Sequence, residues 1–223
     1  MITVGVVDDH TLFRKSMCAL IDTFEGVRVA LEAENGKVLF SKLPATRVEI
    51  LLVDLNMPVM DGYETCKLLS QEYPEIKIIV ISQLASKESI LKCIQVGSHG
   101  YFSKSADPAY LEKAIRSIHQ SGFYFEPGLS PVLNEIILDE SRSKKNTDPL
   151  CTLTEREMKL VSLTCEGYSS EEIAHRLCIN IRTVESHRRK ILDKTEARNF
   201  TAVILMAIKY KYVAVDGLLT RTA

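Results

Sequence analysis

No stretch of this 223-residue chain is apolar for long enough to cross a membrane. The longest run, residues 202–208, falls far short of the ~20 residues that a spanning helix needs. Cys-x-x-Cys pairs are also absent. The six cysteines stand apart at positions 18, 66, 93, 151, 165 and 178. That scatter argues against a zinc site or a disulfide framework and is what a reducing cytoplasm allows. The first residues, Met1-Ile2-Thr3-Val4-Gly5, run straight into acidic side chains, so no secretory signal is expected there. There is no internal repeat, no low-complexity tract, and no glycine-rich loop of the kind that cradles a nucleotide phosphate, which argues against ATP as a direct phosphoryl donor. Neither sign of charge dominates, since the net charge is −1. With 46% hydrophobic and 26% charged residues, the composition is that of a folded chain and excludes wholesale disorder.

The charge is unevenly spread. Residues 1–125 hold 13 basic and 15 acidic side chains, whereas residues 151–223 hold 12 and 9. A mildly acidic first part joined to a basic last part points to two jobs on one chain. The hydrophobic pattern divides at the same place. In residues 1–122, short apolar runs at 3–7, 27–31, 50–53, 76–81 and 101–102 read as strands. They alternate with helical patterns near 13–24, 37–42, 62–71, 87–96 and 108–121. Five β–α units predict a five-stranded parallel α/β sheet covered by helices on both faces, because near-continuous apolar strands must be buried on both sides. Residues 123–150 read as a linker: a short amphipathic helix through Val132, Leu133, Ile136, Ile137 and Leu138, then the polar run 141–149. Residues 151–215 read as helices only, with 216–223 as a tail. Thr154-x-x-Glu157 and Ser169-x-x-Glu172 are capping boxes that start the first two helices. Asn180 caps a third helix running to about Lys194, and a fourth spans about 201–211.

In a doubly wound sheet, ligands bind beyond the carboxyl ends of the strands. The polar residues of residues 1–122 stand at those ends. Asp8 and Asp9 follow the first strand, Asp54 the third, Ser82 the fourth and Lys104 the fifth. A single Asp after a strand is more often a cap or a turn former. Five polar residues that each close a different unit call for another explanation. Three converging carboxylates repel one another, and a hard divalent cation with oxygen ligands, Mg²⁺, relieves the repulsion. One carboxylate can then act as a nucleophile and become an acyl phosphate. Lys104 can pair with phosphoryl oxygens and Ser82 can donate a hydrogen bond to one. Pro58 and Gly62 shape the loop after Asp54.

In the basic end, two short helices joined by a tight turn at 178–180 suggest a helix-turn-helix. In residues 182–194, with five basic and two acidic side chains, Val184, His187, Ile191 and Leu192 form the inward side. Arg182, Glu185, Ser186, Arg189 and Asp193 form the opposite stripe, where base-edge contacts would arise. Arg188, Lys190 and Lys194 flank it as candidate phosphate contacts.

The stretches Val7-Asp8-Asp9-His10, residues 54–62, Ser82 and Gly100-Tyr101-Phe102-Ser103-Lys104 resemble a two-component receiver domain (the flavodoxin/CheY-like fold) over about residues 1–122. The resemblance implies that Asp54 takes a phosphoryl group from a phosphohistidine on a sensor histidine kinase. It also implies that Mg²⁺ is held by Asp9, Asp54 and the backbone carbonyl of Asn56, with Asp8 assisting, and that Tyr101 is an aromatic switch coupled to Ser82. Gln83 departs from the small residue usual there. Residues 153–157, Glu172-Ile173-Ala174, Ile179-Asn180 and residues 183–188 resemble the LuxR-type DNA-binding domain. The whole is thus similar to a NarL/FixJ-type response regulator: a cytoplasmic transcription factor that binds double-stranded DNA as a homodimer when active. Its expected DNA-binding residues are Arg182, Thr183, Glu185, Ser186, His187, Arg188, Arg189 and Lys190, and its last helix helps it dimerise. Glu185 stands in place of a frequent Lys, and Thr195-Glu196 in place of a usual Leu-Gly. An aspartate-nucleophile phosphatase is the rival from another class. It would need a second acid two residues after the nucleophile, where this chain has Asn56. An adaptor that binds only protein is the other alternative.

Overall fold

The computed structural model describes residues 1–83, 86–129, 132, 135 and 148–213. Strands β1 (Ile2–Val7), β2 (Val27–Ala33), β3 (Ile50–Asp54), β4 (Lys77–Ser82) and β5 (Gly100–Ser103) alternate with helices α1 (Thr11–Ile21), α2 (Gly36–Lys42), α3 (Gly62–Glu72), α4 (Lys87–Gln95) and α5 (Ala109–Ser121). All pairings are parallel, in the order β2-β1-β3-β4-β5-β6. The predicted five strands are therefore six. β6 (Tyr124–Phe125) returns after α5 and pairs with Gly100 and Tyr101 of β5. Two residues are too few to show a strand period, which is why the sequence pattern ended at Gly122.

The strands are apolar throughout because both of their faces are covered. In β3, Ile50 and Leu52 face the layer holding Met17, Ile21, Leu111 and Ile115 of α1 and α5. Leu51 and Val53 face Leu39, Cys66, Leu69 and Ile90 of α2, α3 and α4. Each such aliphatic side chain contributes about 1.5–3 kcal/mol by leaving water. α5 starts one residue later than the sequence indicates. Pro108 takes the cap position, while Asp107 still accepts a hydrogen bond from the Ala109 amide at 2.9 Å.

A 3₁₀ turn at Pro149–Thr152, capped by Asp148, opens the second part. Helices α6 (Glu155–Cys165), α7 (Ser170–Arg176), α8 (Ile181–Thr195) and α9 (Phe200–Lys209) follow. Both capping boxes form, and Asn180 accepts from the Thr183 amide at 2.8 Å. α8 ends on Glu196 in the left-handed region at φ 55°, so a residue with a Cβ takes the place that favours glycine. Most of the linker at 123–150, including its amphipathic helix and polar run, and the tail at 216–223 lie outside the described residues. The described core of the helical part is continuous with the α2–α4 face of the sheet. No helix among the described residues is long and apolar enough to cross a membrane.

Candidate functional site

The carboxyl ends of β1, β3, β4 and β5 bring Asp8, Asp54, Ser82 and Lys104 to one crevice. Ligand atoms of Asp8, Asp9, His10 and Asp54 all lie within 4.8 Å of one another. The Lys104 ammonium bridges two of the carboxylates, at 2.7 Å from Asp8 Oδ2 and 2.9 Å from Asp54 Oδ2. It also sits 4.6 Å from the centroid of the Phe13 ring. Asp8 and Asp54 are 2% and 3% exposed, so their charges interact with little screening by water. Burial raises the Asp54 pKa. Hydrogen bonding and attraction from Lys104 work against that rise, and Asp8 adds to it. Burial also opposes the charge on Lys104, but its hydrogen bonds to Asp8 and Asp54 prevail and raise its pKa.

The backbone is shaped for this convergence. Gly62 starts α3 so close to β3 that a Cβ there would stand 2.1 Å from the Asp54 carbonyl oxygen. Asp61 caps α3 by accepting from the Glu64 amide at 2.8 Å. Asp8 Oδ1 accepts from the His10 amide at 2.8 Å, which holds the loop after β1. His10 caps α1 without a side-chain bond, and its Nδ1 lies 2.9 Å from Asp9 Oδ1.

One lysine against three carboxylates leaves an excess of negative charge. The donor set is carboxylate oxygen, with Asp9 Oδ1 buried and making no hydrogen bond. Those residues fit a hard divalent cation such as Mg²⁺. Asn56, the remaining predicted ligand, is exposed at the mouth of the crevice, and its backbone N–H hydrogen-bonds to Asp54. Ser82 is buried at the end of β4. Tyr101 is buried too, its hydroxyl is hydrogen-bonded to Ser82, and burial pushes its pKa up to about 12. Gln83, the departure noted in the sequence, is exposed.

Arg14 is a site residue that sequence reasoning missed. Its buried guanidinium donates to the Asp8 backbone carbonyl and faces Glu32 at 3.6 Å. The signal was available. Arg14 stands one turn before Met17 and Cys18 and two before Ile21, on the buried stripe of α1.

The second candidate site is α8. Arg182, Glu185, Ser186, Arg189, Lys190 and Asp193 are exposed, so the stripe expected to meet base edges is open to solvent. Thr183 is half-buried and bonded to its own cap, with Oγ1 2.9 Å from Asn180 Oδ1. His187 turns Nδ1 inward, where it has no hydrogen-bond partner. Arg188 departs from the expectation of a phosphate contact in this structure. One of its nitrogens donates to the backbone carbonyl of Ser121 and another to Ser170 Oγ at 2.9 Å, and the guanidinium lies 4.4 Å from the centroid of the Phe200 ring. Ser170 Oγ in turn donates to Glu185 Oε1 at 2.6 Å. The unpaired carbonyls at the end of α5 attract a cation as a DNA phosphate would, and they capture Arg188.

A family model described as "Response regulator receiver domain" matches residues 4–116, and one described as "Bacterial regulatory proteins, luxR family" matches residues 151–207. The response regulator protein VraR of Staphylococcus epidermidis and that of Staphylococcus aureus are each 28% identical over 212 residues. That span is 95% of this chain and 99% of theirs. Among solved structures, a two-component response regulator of the LuxR family from Aurantimonas sp. SI85-9A1 is 27% identical with a TM-score of 0.56, covering 63% of this chain and 98% of that one. The RcsB response regulator of Salmonella typhimurium shares the fold at a TM-score of 0.57 and 24% identity, covering 91% of this chain and 96% of its own. RcsB has also been solved in complex with DNA, at a TM-score of 0.56 and 24% identity over 93% of this chain and 98% of that one.

Proposed function

This chain belongs to the response regulators, with a receiver domain followed by a LuxR-type DNA-binding domain, and from that premise we propose the roles of its two sites. Residues 1–122 receive the signal and residues 151–215 deliver it to DNA. The carboxylate of Asp54 attacks the phosphorus of a phosphohistidine on a sensor histidine kinase. A P–O bond forms, the P–N bond breaks, and the imidazole leaves with a proton. Asp8, Asp9, Asp54 and the Asn56 carbonyl hold Mg²⁺, which supplies charge neutralisation for the phosphoryl oxygens. Lys104 exchanges its contact with the Asp54 carboxylate for a phosphoryl oxygen, and Ser82 donates a hydrogen bond to another. The movement of Ser82 carries Tyr101, to which it is bonded, and a few kcal/mol of differential interaction shift the receiver between two states.

The observation that carries this reading is the convergence of Asp8, Asp9 and Asp54, with Lys104 bridging two of them from 2.7 and 2.9 Å. The protein works in the cytoplasm as a transcriptional regulator. It reads base edges with Arg182, Glu185, Ser186 and Arg189, holds phosphates with Lys190 and, once released from the Ser121 carbonyl, with Arg188, and binds as a homodimer. Its only group transfer is onto itself.

Two measurements test this. Incubation with acetyl phosphate and Mg²⁺ yields an acyl phosphate on the wild-type chain and none on Asp54→Ala. Full labelling of that variant would place the acceptor elsewhere. Sequencing of genomic duplexes captured with and without the phosphodonor yields an enriched two-fold motif, with half-sites about one helical turn apart. Capture without enrichment of any sequence refutes the DNA-reading role of α8.

A further inference from the structure

α8 is a basic helix with a carboxylate in the middle of its outward stripe. Arg182 precedes Glu185 by three residues and Arg189 follows it by four, so the three share one side of the helix, and all three are exposed. Both spacings allow an Arg–Glu ion pair along the helix. Neither pair forms among the described residues. Glu185 Oε1 instead accepts from the Ser170 hydroxyl at 2.6 Å, across to the first turn of α7. Ser170 Oγ is in turn the acceptor for an Arg188 nitrogen at 2.9 Å. A guanidinium can only donate and a hydroxyl has a single hydrogen, so Arg188 occupies a lone pair of Ser170 and the hydrogen goes to Glu185. α7 and α8 belong to the same domain, and the Ser170–Glu185 bond needs nothing from the receiver.

An ionised carboxylate accepts hydrogen bonds and cannot donate them. Beside phosphates it is repelled. In the major groove it meets base edges, and these are not alike. Guanine presents two acceptors, N7 and O6. Thymine presents the O4 acceptor and a methyl group. Adenine sets an N7 acceptor beside its N6 donor. Cytosine presents the N4 donor with no acceptor of its own. A carboxylate held in place is therefore satisfied by cytosine and stands unpaired, facing lone pairs, at guanine or thymine. It selects chiefly by what it rejects. Arg182 and Arg189 on either side have the opposite preference, for guanine O6 and N7.

We propose that Glu185 determines the choice of cytosine at one position of each DNA half-site, and that Ser170 is a positioning residue that holds the Glu185 carboxylate for that base. This deepens the reading of α8 as the helix that reads DNA and rests on it. The bond from Ser170 occupies Oε1, and Oε2 is the oxygen that accepts from cytosine N4.

The test is selection of bound duplexes from a random-sequence pool by the full-length protein, treated with acetyl phosphate and Mg²⁺. Wild type enriches a motif with cytosine in one column of each half-site. Glu185→Ala flattens that column, Glu185→Gln moves it toward adenine, whose N6 and N7 suit a Gln amide, and the other columns keep their bases. On one duplex carrying the motif, exchanging that C·G pair for G·C weakens wild type about tenfold and Glu185→Ala less than about twofold. Ser170→Ala lowers this discrimination toward that of Glu185→Ala, and Ser170→Thr, which keeps the hydroxyl, restores it. A purely structural role for Ser170 would weaken binding to every sequence alike and leave the ratio untouched, which overturns the positioning role. An unchanged motif from Glu185→Ala, or an equal gain in affinity for every duplex, makes Glu185 a mere repeller of phosphate. Either result overturns the proposal and leaves the DNA reading standing. A base other than cytosine in the column that Glu185→Ala flattens overturns it equally. Wild type that captures duplexes without enriching any sequence overturns the DNA reading itself, and the cytosine assignment with it.

Discussion

Replacing Lys104 by Met keeps the bulk of the side chain and removes its charge. At 2.7 and 2.9 Å, attraction to each carboxylate is of the order of 6 kcal/mol at an effective dielectric of about 20, before desolvation is subtracted. Breaking a buried pair by deleting one partner costs about 3–5 kcal/mol, because the other partner stays buried and uncompensated. Asp8 and Asp54 are both buried, so that range applies here. Two things relieve the variant. The first is a proton on Asp54, whose pKa burial already raises and whose counterion is now gone. A carboxyl whose folded pKa lies above its unfolded value of about 4 binds the proton better when folded. The variant therefore loses stability as pH rises from about 4 to the folded pKa, by up to about 1.4 kcal/mol per pH unit, and loses no more beyond it. The second is Mg²⁺, which at a hundred times its dissociation constant returns about 2.7 kcal/mol. Urea unfolding followed by far-UV circular dichroism, near pH 5 and pH 8 with EDTA or with Mg²⁺, measures both effects. The deficit of Lys104→Met should be largest near pH 8 in EDTA and shrink on acidification or on adding Mg²⁺. A deficit of the same size in all four conditions would refute the electrostatic reasoning. It would make Lys104 a packing residue against Phe13.

Gly62→Ala drives a Cβ to 2.1 Å from the Asp54 carbonyl oxygen, so it should cost roughly 1–3 kcal/mol or more in the urea midpoint and slow phosphoryl acceptance from acetyl phosphate. Glu196→Gly removes a Cβ from a left-handed helix end at φ 55° on an exposed residue, and should raise the stability of the helical part by about 1 kcal/mol in thermal melts. Arg189→Ala should cost roughly 1–3 kcal/mol and relax a single base position in the captured motif, whereas uniform weakening across sequences would mark Arg189 as a phosphate contact.

The receiver was legible because its chemistry is written at strand ends. Apolar runs fixed where β1, β3, β4 and β5 stop, and a polar residue one or two positions after each run (Asp8, Asp54, Ser82, Lys104) belongs to the crevice. Caps at Thr154, Ser169 and Asn180 were legible for a similar reason, since a cap is a local bargain between one side chain and an amide three residues on. Arg188 was not legible. A basic residue beside a recognition stripe looks the same whether it meets a DNA phosphate or the carbonyls ending another helix, and only tertiary contact decides. Asn199 was equally opaque, because its cap explains its presence and hides its second bond to Ser98. α9 did carry a hint in its lack of a polar face, although periodicity alone cannot say which element lies against it.

β6 bears on how the receiver can be cut from the chain. A fragment ending at Gly122, where the sequence pattern stops, would strip Tyr124 and Phe125 from β5 and leave the Gly100–Tyr101 backbone as a bare sheet margin. Unpaired amides and carbonyls at such a margin recruit other chains, so that fragment should precipitate or form aggregates. A fragment carried to Leu129, which is buried against the same core, keeps the margin paired and should remain in solution.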